Sequence, residues 1–193
     1  MSTSNTLHSG HNITETLTLA NGSFWATDAF FSVQPGVIRT IAGYAGGFTT
    51  NANFYEHPDH LEAVQIEFNP GVLSLKTLVE LFSSLVTPSM GCKERSPEEI
   101  QKAAIYCTSS EQKREIEEFI ATGLQDQIAI EPLSFFIRAE AYNQNRYLRQ
   151  SPLMMYECKK QFRNEQEFIE SPVATRLNGY LSGFGNREGL MEE

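Results

Sequence analysis

The order of its strand-like and helix-like segments is the feature that most limits how this chain can fold. Alternating or continuous apolar runs predict strands at 13–19, 37–45, 60–70, 103–108 and 126–133, and helical spacing predicts helices at 24–34, 74–86 and 109–123. The resulting order, β-α-β-β-α-β followed by one more helix and strand, is typical of a split-βαβ unit. We therefore predict an α/β (α+β) fold, a two-layer ferredoxin-like sandwich with a mixed sheet.

The two ends of the chain carry weaker patterns than its middle. Residues 1–12 are polar and predict a flexible leader, and residues 13–193 predict a single domain without an internal linker. From about residue 134 onward we expect an irregular C-terminal tail of loops, with one short helix near 154–169. A monomer is expected.

Composition excludes several functional classes. A net charge of −9 disfavours nucleic-acid binding, which depends on positive charge. No apolar run approaches the roughly 20 residues that span a bilayer, and the N-terminus resembles no secretory signal. The three cysteines and four histidines show no metal-type spacing, so we expect no metal site and no cofactor. A reducing, cytoplasmic location is the default expectation.

The stretch Asn-Gly-Ser-Phe-Trp, residues 21–25, opens the first predicted helix and invites a functional interpretation. Ser23 has the size of a nucleophile, and Phe24 and Trp25 are suited to line an apolar pocket. A nucleophilic serine needs an adjacent base, and His57 and His60, across the loop, are the candidates. However, the GxSxG elbow is absent, serine is a preferred N-cap, and both aromatic residues also suit an ordinary core.

Five segments together resemble the methionine sulfoxide reductase A family, the peptide-methionine (S)-S-oxide reductases. The family motif Gly-Cys-Phe-Trp-Gly is similar to Gly22-Ser23-Phe24-Trp25-Ala26. The other similar segments are 35–47, 59–82, 139–148 and 173–185, all in consistent order. The fold that this resemblance implies is the α/β sandwich that periodicity predicts independently.

The resemblance implies a chemistry and a set of site residues. In the family, a thiolate attacks the sulfoxide sulfur, an acid protonates its oxygen, and the resulting sulfenic acid is resolved by a second thiol. Ser23 and Glu62 then hold the catalytic positions, and the substrate-binding positions fall at Phe24, Trp25, Phe54, Tyr55 and Tyr142. The implied partners are methionine sulfoxide, in peptides or free, and thioredoxin or another dithiol if the protein is active.

This chain departs from the family pattern at several of the positions on which the family's reaction depends. Serine replaces the nucleophilic cysteine at position 23, Asp28 stands for a glutamate, and Asn143 stands for a histidine. Phe54 falls at a family tyrosine, with Tyr55 beside it as a substitute. No cysteine follows Cys158, so the C-terminal recycling thiols are missing. Because several positions have changed together, natural divergence is favoured over an engineered exchange of cysteine for serine, which nevertheless stays open.

Three hypotheses follow for function. The first is a weak reductase that uses another thiol, such as Cys92. The second is a pseudoenzyme that binds methionine sulfoxide or methionine side chains without reducing them, since Phe24, Trp25 and Glu62 are kept. The third is a retained fold with an interaction role that is unrelated to sulfoxides.

Overall fold

A six-stranded sheet organises the molecule in the computed structural model, which describes residues 14–86, 103–120 and 127–185. The strands are β1 (Glu15–Asn21), β2 (Val37–Ala45), β3 (Leu61–Phe68), β4 (Ala103–Cys107), β5 (Ile128–Pro132) and β6 (Phe136–Arg138). Their order is β5-β4-β1-β3-β2-β6. The β4–β5 pair is parallel and every other pair is antiparallel, so the sheet is mixed.

The first two helices complete the predicted unit. Helix α1 (Phe24–Ser32) connects β1 to β2, and α2 (Leu75–Val86) follows β3 and precedes β4 in the chain. With the strand order β4-β1-β3-β2, this is the split-βαβ arrangement, and the predicted fold class is confirmed. The bounds of β1 to β5 and of these two helices differ from the sequence prediction by at most two residues.

The core lies between the sheet and these helices because alternation places apolar side chains on one face. Leu17 and Leu19 of β1 pair in register with Ile66 and Val64 of β3, and all four are buried. The larger buried side chains packed in the same cluster come from the helices and the flanking strands: Phe24, Phe31, Leu78, Phe82 and Ile105. This apolar cluster fixes where α1 begins, and therefore where Ser23 lies.

The C-terminal part is more regular than expected: two helices cover the stretch 154–169, where one short helix was predicted, and further helices flank them. Helix α3 (Ser110–Phe119) lies between β4 and β5 in the chain. After β6, residues 141–182 form a 3₁₀ turn (Ala141–Asn143) and the helices α4 (Arg146–Arg149), α5 (Pro152–Gln161), α6 (Glu165–Ile169) and α7 (Pro172–Ser182). These C-terminal helices bury Leu148, Phe168, Ile169 and Ala174 against Ile41 of β2. They are short and contribute few apolar residues each, so hydrophobic periodicity alone does not reveal them.

Capping residues carry the signal that periodicity lacks. Ser171 Oγ accepts a hydrogen bond from the Ala174 N–H at 3.3 Å, Pro172 occupies the first helical position, and Gly183 ends α7 with φ 94°. Asn164 Oδ1 caps α6 in the same way by accepting from the Glu167 N–H at 2.8 Å. A prediction based on helix-capping residues would therefore have located both α6 and α7.

Several sequence predictions lie outside the described residues. They are the leader at 1–12, Cys92 and the end of the helix predicted at 109–123. At the other end of that helix, Ser109 Oγ caps the first turn by accepting from the Gln112 N–H at 3.1 Å. Within the described ranges, no helix has the length and apolar character to cross a membrane.

Candidate active site

Ser23 lies at the turn between β1 and α1, where Gly22 adopts a positive φ of 68°. It occupies the N-cap position with extended backbone, but its side chain makes no capping hydrogen bond and is exposed. Ser23 therefore occupies the N-cap position as predicted, but its hydroxyl group does not cap the helix. The first free N–H of the helix, that of Phe24, is instead donated to Glu62 Oε2 at 3.0 Å.

Glu62 reaches Ser23 through the register of the sheet. It is a half-buried residue of β3, opposite Tyr44 of β2 in the antiparallel ladder. Its carboxyl group caps the N-terminus of α1, where the aligned peptide dipoles favour a negative charge. The structure thus brings together the two positions that the sequence assigned to catalysis, although 38 residues separate Phe24 from Glu62 in the chain.

Three aromatic side chains form a wall beside these two residues, and we call Phe24, Trp25 and Phe54 the aromatic box. The ring centroids of Trp25 and Phe54 are 5.5 Å apart in a stacked arrangement, and Phe24 lies 5.9 Å from Trp25 and 6.3 Å from Phe54. Phe24 is fully buried, whereas the other two are partly exposed. An apolar surface of this kind suits a thioether or a methyl group.

The two predicted tyrosines lie at the rim of the box. Tyr142 meets Phe54 edge-on with a centroid distance of 6.5 Å, and Tyr55 does so at 5.6 Å. Tyr142 is 45% exposed and Tyr55 is 84% exposed. Both phenols are therefore available to a ligand, but Phe54 rather than Tyr55 forms the wall.

Glu140, which the sequence analysis did not single out, holds the aromatic box in place. Its Oε1 accepts the Phe54 N–H at 2.9 Å, and its Oε2 accepts the Tyr44 O–H at 3.0 Å and an Asn143 Nδ2–H at 2.9 Å. Partial burial raises the pKa of Glu140, but these hydrogen bonds outweigh it and the net pKa is lowered. Glu140 lies in the family-like segment 139–148, so a search of that segment for acids would have found it.

Tyr44 forms the floor between Glu62 and Glu140. It is fully buried, its ring lies 5.9 Å from that of Phe24, and it stacks on His57 at 5.3 Å. Burial is the main cause that raises its pKa, with the hydrogen bond to Glu140 adding to it, so the phenol stays neutral and acts as a donor.

The two histidines near the site do not activate Ser23. His57 stacks on Tyr44, and the Nδ1 of the buried His60 lies 2.8 Å from Asp59 Oδ1. Among the described residues, the Ser23 hydroxyl makes no hydrogen bond to a histidine. A serine nucleophile with a histidine base therefore has no geometric support in this part of the chain.

Comparison with known proteins identifies the family of this chain. The family model described as peptide methionine sulfoxide reductase matches residues 15–177. The chain belongs to this family. It is 33% identical over 177 residues to peptide methionine sulfoxide reductase A5 of Arabidopsis thaliana, covering 84% of this chain. It is 36% identical over 147 residues to MsrA of Nitrobacter winogradskyi, covering 72% of this chain and 82% of that protein.

Solved structures support the fold in the same way. Methionine sulfoxide reductase A of Corynebacterium diphtheriae superposes with a TM-score of 0.62 at 26% identity, covering 75% of this chain and 78% of that one. The match spans only 66% of the Arabidopsis relative and 63% of MsrA 1 of Mesorhizobium japonicum.

The two described cysteines, Cys107 and Cys158, are poor candidates for a reactive thiol. Cys107 is 3% exposed in the main core, and burial raises its pKa to about 11. Cys158 is 5% exposed in the C-terminal cluster, where burial also raises its pKa. Both thiols are therefore held in the protonated, unreactive form at neutral pH.

Proposed function

We propose that this member of the peptide methionine sulfoxide reductase family binds methionine sulfoxide, in peptides or free, in the aromatic box, and that Ser23 leaves its reduction weak or absent. The observation that carries the proposal is the convergence of Ser23, Glu62 and the aromatic box at the start of α1. The box would hold the methyl and thioether groups, and the Glu62 carboxyl group would meet the sulfoxide oxygen.

Serine limits this chemistry because of what happens to the oxygen atom. A thiolate that attacks the sulfoxide sulfur takes up its oxygen and becomes a sulfenic acid, while the substrate becomes a thioether. A serine hydroxyl would have to become a hydroperoxide, for which the reaction offers no driving force. The position itself suits a thiolate, since it lies at a helix N-terminus.

The test is reduction of a methionine-(S)-sulfoxide peptide by excess dithiol, comparing the protein with its Ser23→Cys variant. Dithiol replaces the recycling thiols, so the assay isolates the nucleophile. Ser109→Cys is the matched control, because Ser109 is an exposed N-cap of α3 without an aromatic box. We expect turnover from Ser23→Cys alone, and a sulfenic acid that a dimedone probe traps on Cys at position 23.

Other outcomes of this assay would assign a different function. Turnover by the unmodified protein that is lost when its three cysteines are replaced would show that another thiol, such as Cys92, acts instead. Silence of Ser23→Cys would mean that the neighbouring substitutions have dismantled the catalytic site. The remaining hypothesis would then be an interaction role that is unrelated to sulfoxides.

A pseudoenzyme that binds without reducing is the second candidate, favoured by the retention of the box around a serine that has no base. Trp25 is the only tryptophan of the chain, and it lies in the box, so its fluorescence reports binding directly. Saturable quenching or a spectral shift with methionine sulfoxide would support this function. The absence of any change at millimolar ligand would contradict it.

The remaining parts of the proposal concern the setting of the protein. We infer a monomer in the reducing cytoplasm that binds neither nucleic acid nor membranes, with thioredoxin or another dithiol as reductant if the protein is active. The net charge of −9 supports the exclusion of nucleic acid.

A further inference from the structure

Arg146 contributes a positive charge to the wall of the candidate site. Its Cζ lies 4.8 Å from the centroid of the Trp25 ring, within the range of a cation–π contact, and the side chain is partly buried. The residue before it, Asn145, has a left-handed φ of 51° and is 3% exposed. It is the only residue other than glycine with positive φ in the described part of the chain. Such a conformation persists only where the surrounding packing enforces it, so the start of α4 is well fixed.

The charge of Arg146 is not neutralised within the described ranges. Arg39, Arg138 and Arg149 each pair with a glutamate, whereas Arg146 takes part in none of the ion pairs found there. The two acids of the site are engaged elsewhere. Glu140 accepts three hydrogen bonds, and Glu62 accepts the Phe24 N–H.

A second donor beside Arg146 also lacks an acceptor. The Trp25 Nε1–H is buried and finds no hydrogen-bond partner. The indole N–H and the guanidinium over the same ring are thus two donors at the Trp25 wall of the aromatic box for which the described residues supply no acceptor. Buried donors are nearly always paired in proteins, so this side of the box is suited to a ligand that supplies an anionic oxygen.

We propose that Arg146 binds a carboxylate of the substrate while the aromatic box holds the sulfoxide-bearing side chain. This inference rests on the function proposed above and narrows its substrate class to anionic methionine sulfoxide compounds. The carboxylate belongs either to the methionine sulfoxide itself, as its α-carboxylate, or to an acidic residue beside it in a peptide. Planar guanidinium groups bind carboxylates through two parallel hydrogen bonds, so Arg146 sets specificity rather than taking part in the chemistry.

The experiment is a Trp25 fluorescence titration with two ligands of matched shape. One is N-acetyl-methionine-(S)-sulfoxide, which carries a carboxylate, and the other is its uncharged N-methylamide. We expect the protein to bind the acid about tenfold more tightly than the amide, a preference that weakens as salt screens the charges. In Arg146→Met the ratio falls to about one, and in Arg146→Lys it is intermediate, because lysine keeps the charge without the planar fork.

Controls keep the readout specific. Arg163→Met removes the same charge from an exposed position and should leave the tenfold ratio unchanged. Removing the guanidinium from Trp25 changes the fluorescence amplitude, so affinities are taken from the titration midpoints. Circular dichroism verifies that each variant is folded.

A second pair of ligands identifies the source of the carboxylate. Acetylated dipeptide amides with Glu or Gln before the methionine sulfoxide carry no α-carboxylate. If the protein prefers the Glu peptide over the Gln peptide, Arg146 binds the side chain of an acidic neighbour. If it does not distinguish these two peptides but prefers the free acid over the N-methylamide, Arg146 binds the α-carboxylate. Equal affinity for all acids and amides, or a preference that survives Arg146→Met, overturns the inference. Failure of every ligand to bind overturns the proposed function and this inference with it.

Discussion

Two carboxylates hold β2 to the rest of the structure, and they do so in opposite ways. Glu140 accepts the hydroxyl of Tyr44 and keeps a lowered pKa, since its hydrogen bonds outweigh partial burial. Asp28 of α1 accepts the hydroxyl of Thr40 at 2.5 Å and an Asn178 Nδ2–H at 2.9 Å, yet burial raises its pKa to about 6. Asp28 is 2% exposed.

The difference shows that burial and donor number together decide whether a carboxyl group is charged. With three donors and partial exposure, Glu140 is an ionised, fixed acceptor that positions the aromatic box. With two donors and almost no exposure, Asp28 changes its charge in the acid range while it links α1 to α7. The first carboxylate serves the site, and the second serves the packing of the C-terminal helices.

The largest effect is expected from Asn178→Leu, which breaks the Asp28 side of the comparison. Asn178 is fully buried, donates to Asp28, and accepts the backbone N–H groups of Tyr147 and Leu148 at 2.9 and 3.2 Å. Leucine removes all three bonds and leaves their partners unpaired, so the free energy of unfolding should fall by about 3–5 kcal/mol. Urea denaturation at neutral pH measures this change.

The control for that variant is Asn51→Leu, the same replacement at an exposed loop position, which should alter stability by less than about 0.5 kcal/mol. Because leucine is the better helix former, helix propensity cannot explain a loss at position 178. A loss below about 1 kcal/mol would show that the buried network contributes little.

The pH dependence of Asp28 gives the next largest effect. Its pKa is raised from 3.8 in the unfolded chain to about 6 in the folded protein. The stability that the protonated group contributes is fully present below the unfolded pKa and is lost as pH rises through the folded value. This shift corresponds to a change on the order of 3 kcal/mol.

Asp28→Asn isolates this contribution because asparagine does not titrate. The stability of the unmodified protein relative to Asp28→Asn should fall by that amount between about pH 3.5 and about pH 7.5. Urea denaturation of both proteins at several pH values provides the test. A difference that stays constant across this range would mean that folding does not raise the pKa of Asp28.

Glu140→Gln tests the other side of the comparison and should have a smaller effect. Glutamine places an NH₂ group where one oxygen accepted hydrogen bonds, so stability at neutral pH should fall by about 1–2 kcal/mol. Since Glu140 positions Phe54, the emission of Trp25 should also shift. Glu131→Gln, at an exposed position of β5, is the control and should change neither quantity. An unaltered Trp25 emission spectrum in Glu140→Gln would show that Glu140 does not position the aromatic box.

The smallest effect is expected for Tyr44→Phe. It removes one of the three donors to Glu140 and leaves the ring packing in place, so the loss should be about 1 kcal/mol. Tyr156→Phe, at an exposed position of α5, serves as the reference and should be neutral within measurement error. If Tyr44→Phe cost as much as Glu140→Gln, the single phenol would account for the whole network.

Local patterns account for the parts of the fold that were predicted well. Strand alternation and helical spacing are properties of a few consecutive residues. The predicted bounds of β2 were therefore exact, and those of β1, β3, β4 and β5 were correct to within two residues. The three-residue β6 was missed because it is too short to show a pattern and exists through pairing with β2. Of the C-terminal helices only one was predicted, near 154–169 where α5 and α6 lie; the others were missed because caps, more than apolar periodicity, mark their ends.

By itself the sequence determined the order of the elements, the family, and the Ser23-Phe24-Trp25 cluster, since these depend on neighbours in the chain. Only the tertiary structure decided which carboxylate meets the start of α1, which acid anchors Phe54, and which cation covers Trp25. Those contacts join residues that are distant in the chain, such as Phe54 and Glu140, which are 86 positions apart. Such pairings depend on sheet register and helix packing, which a local pattern does not encode.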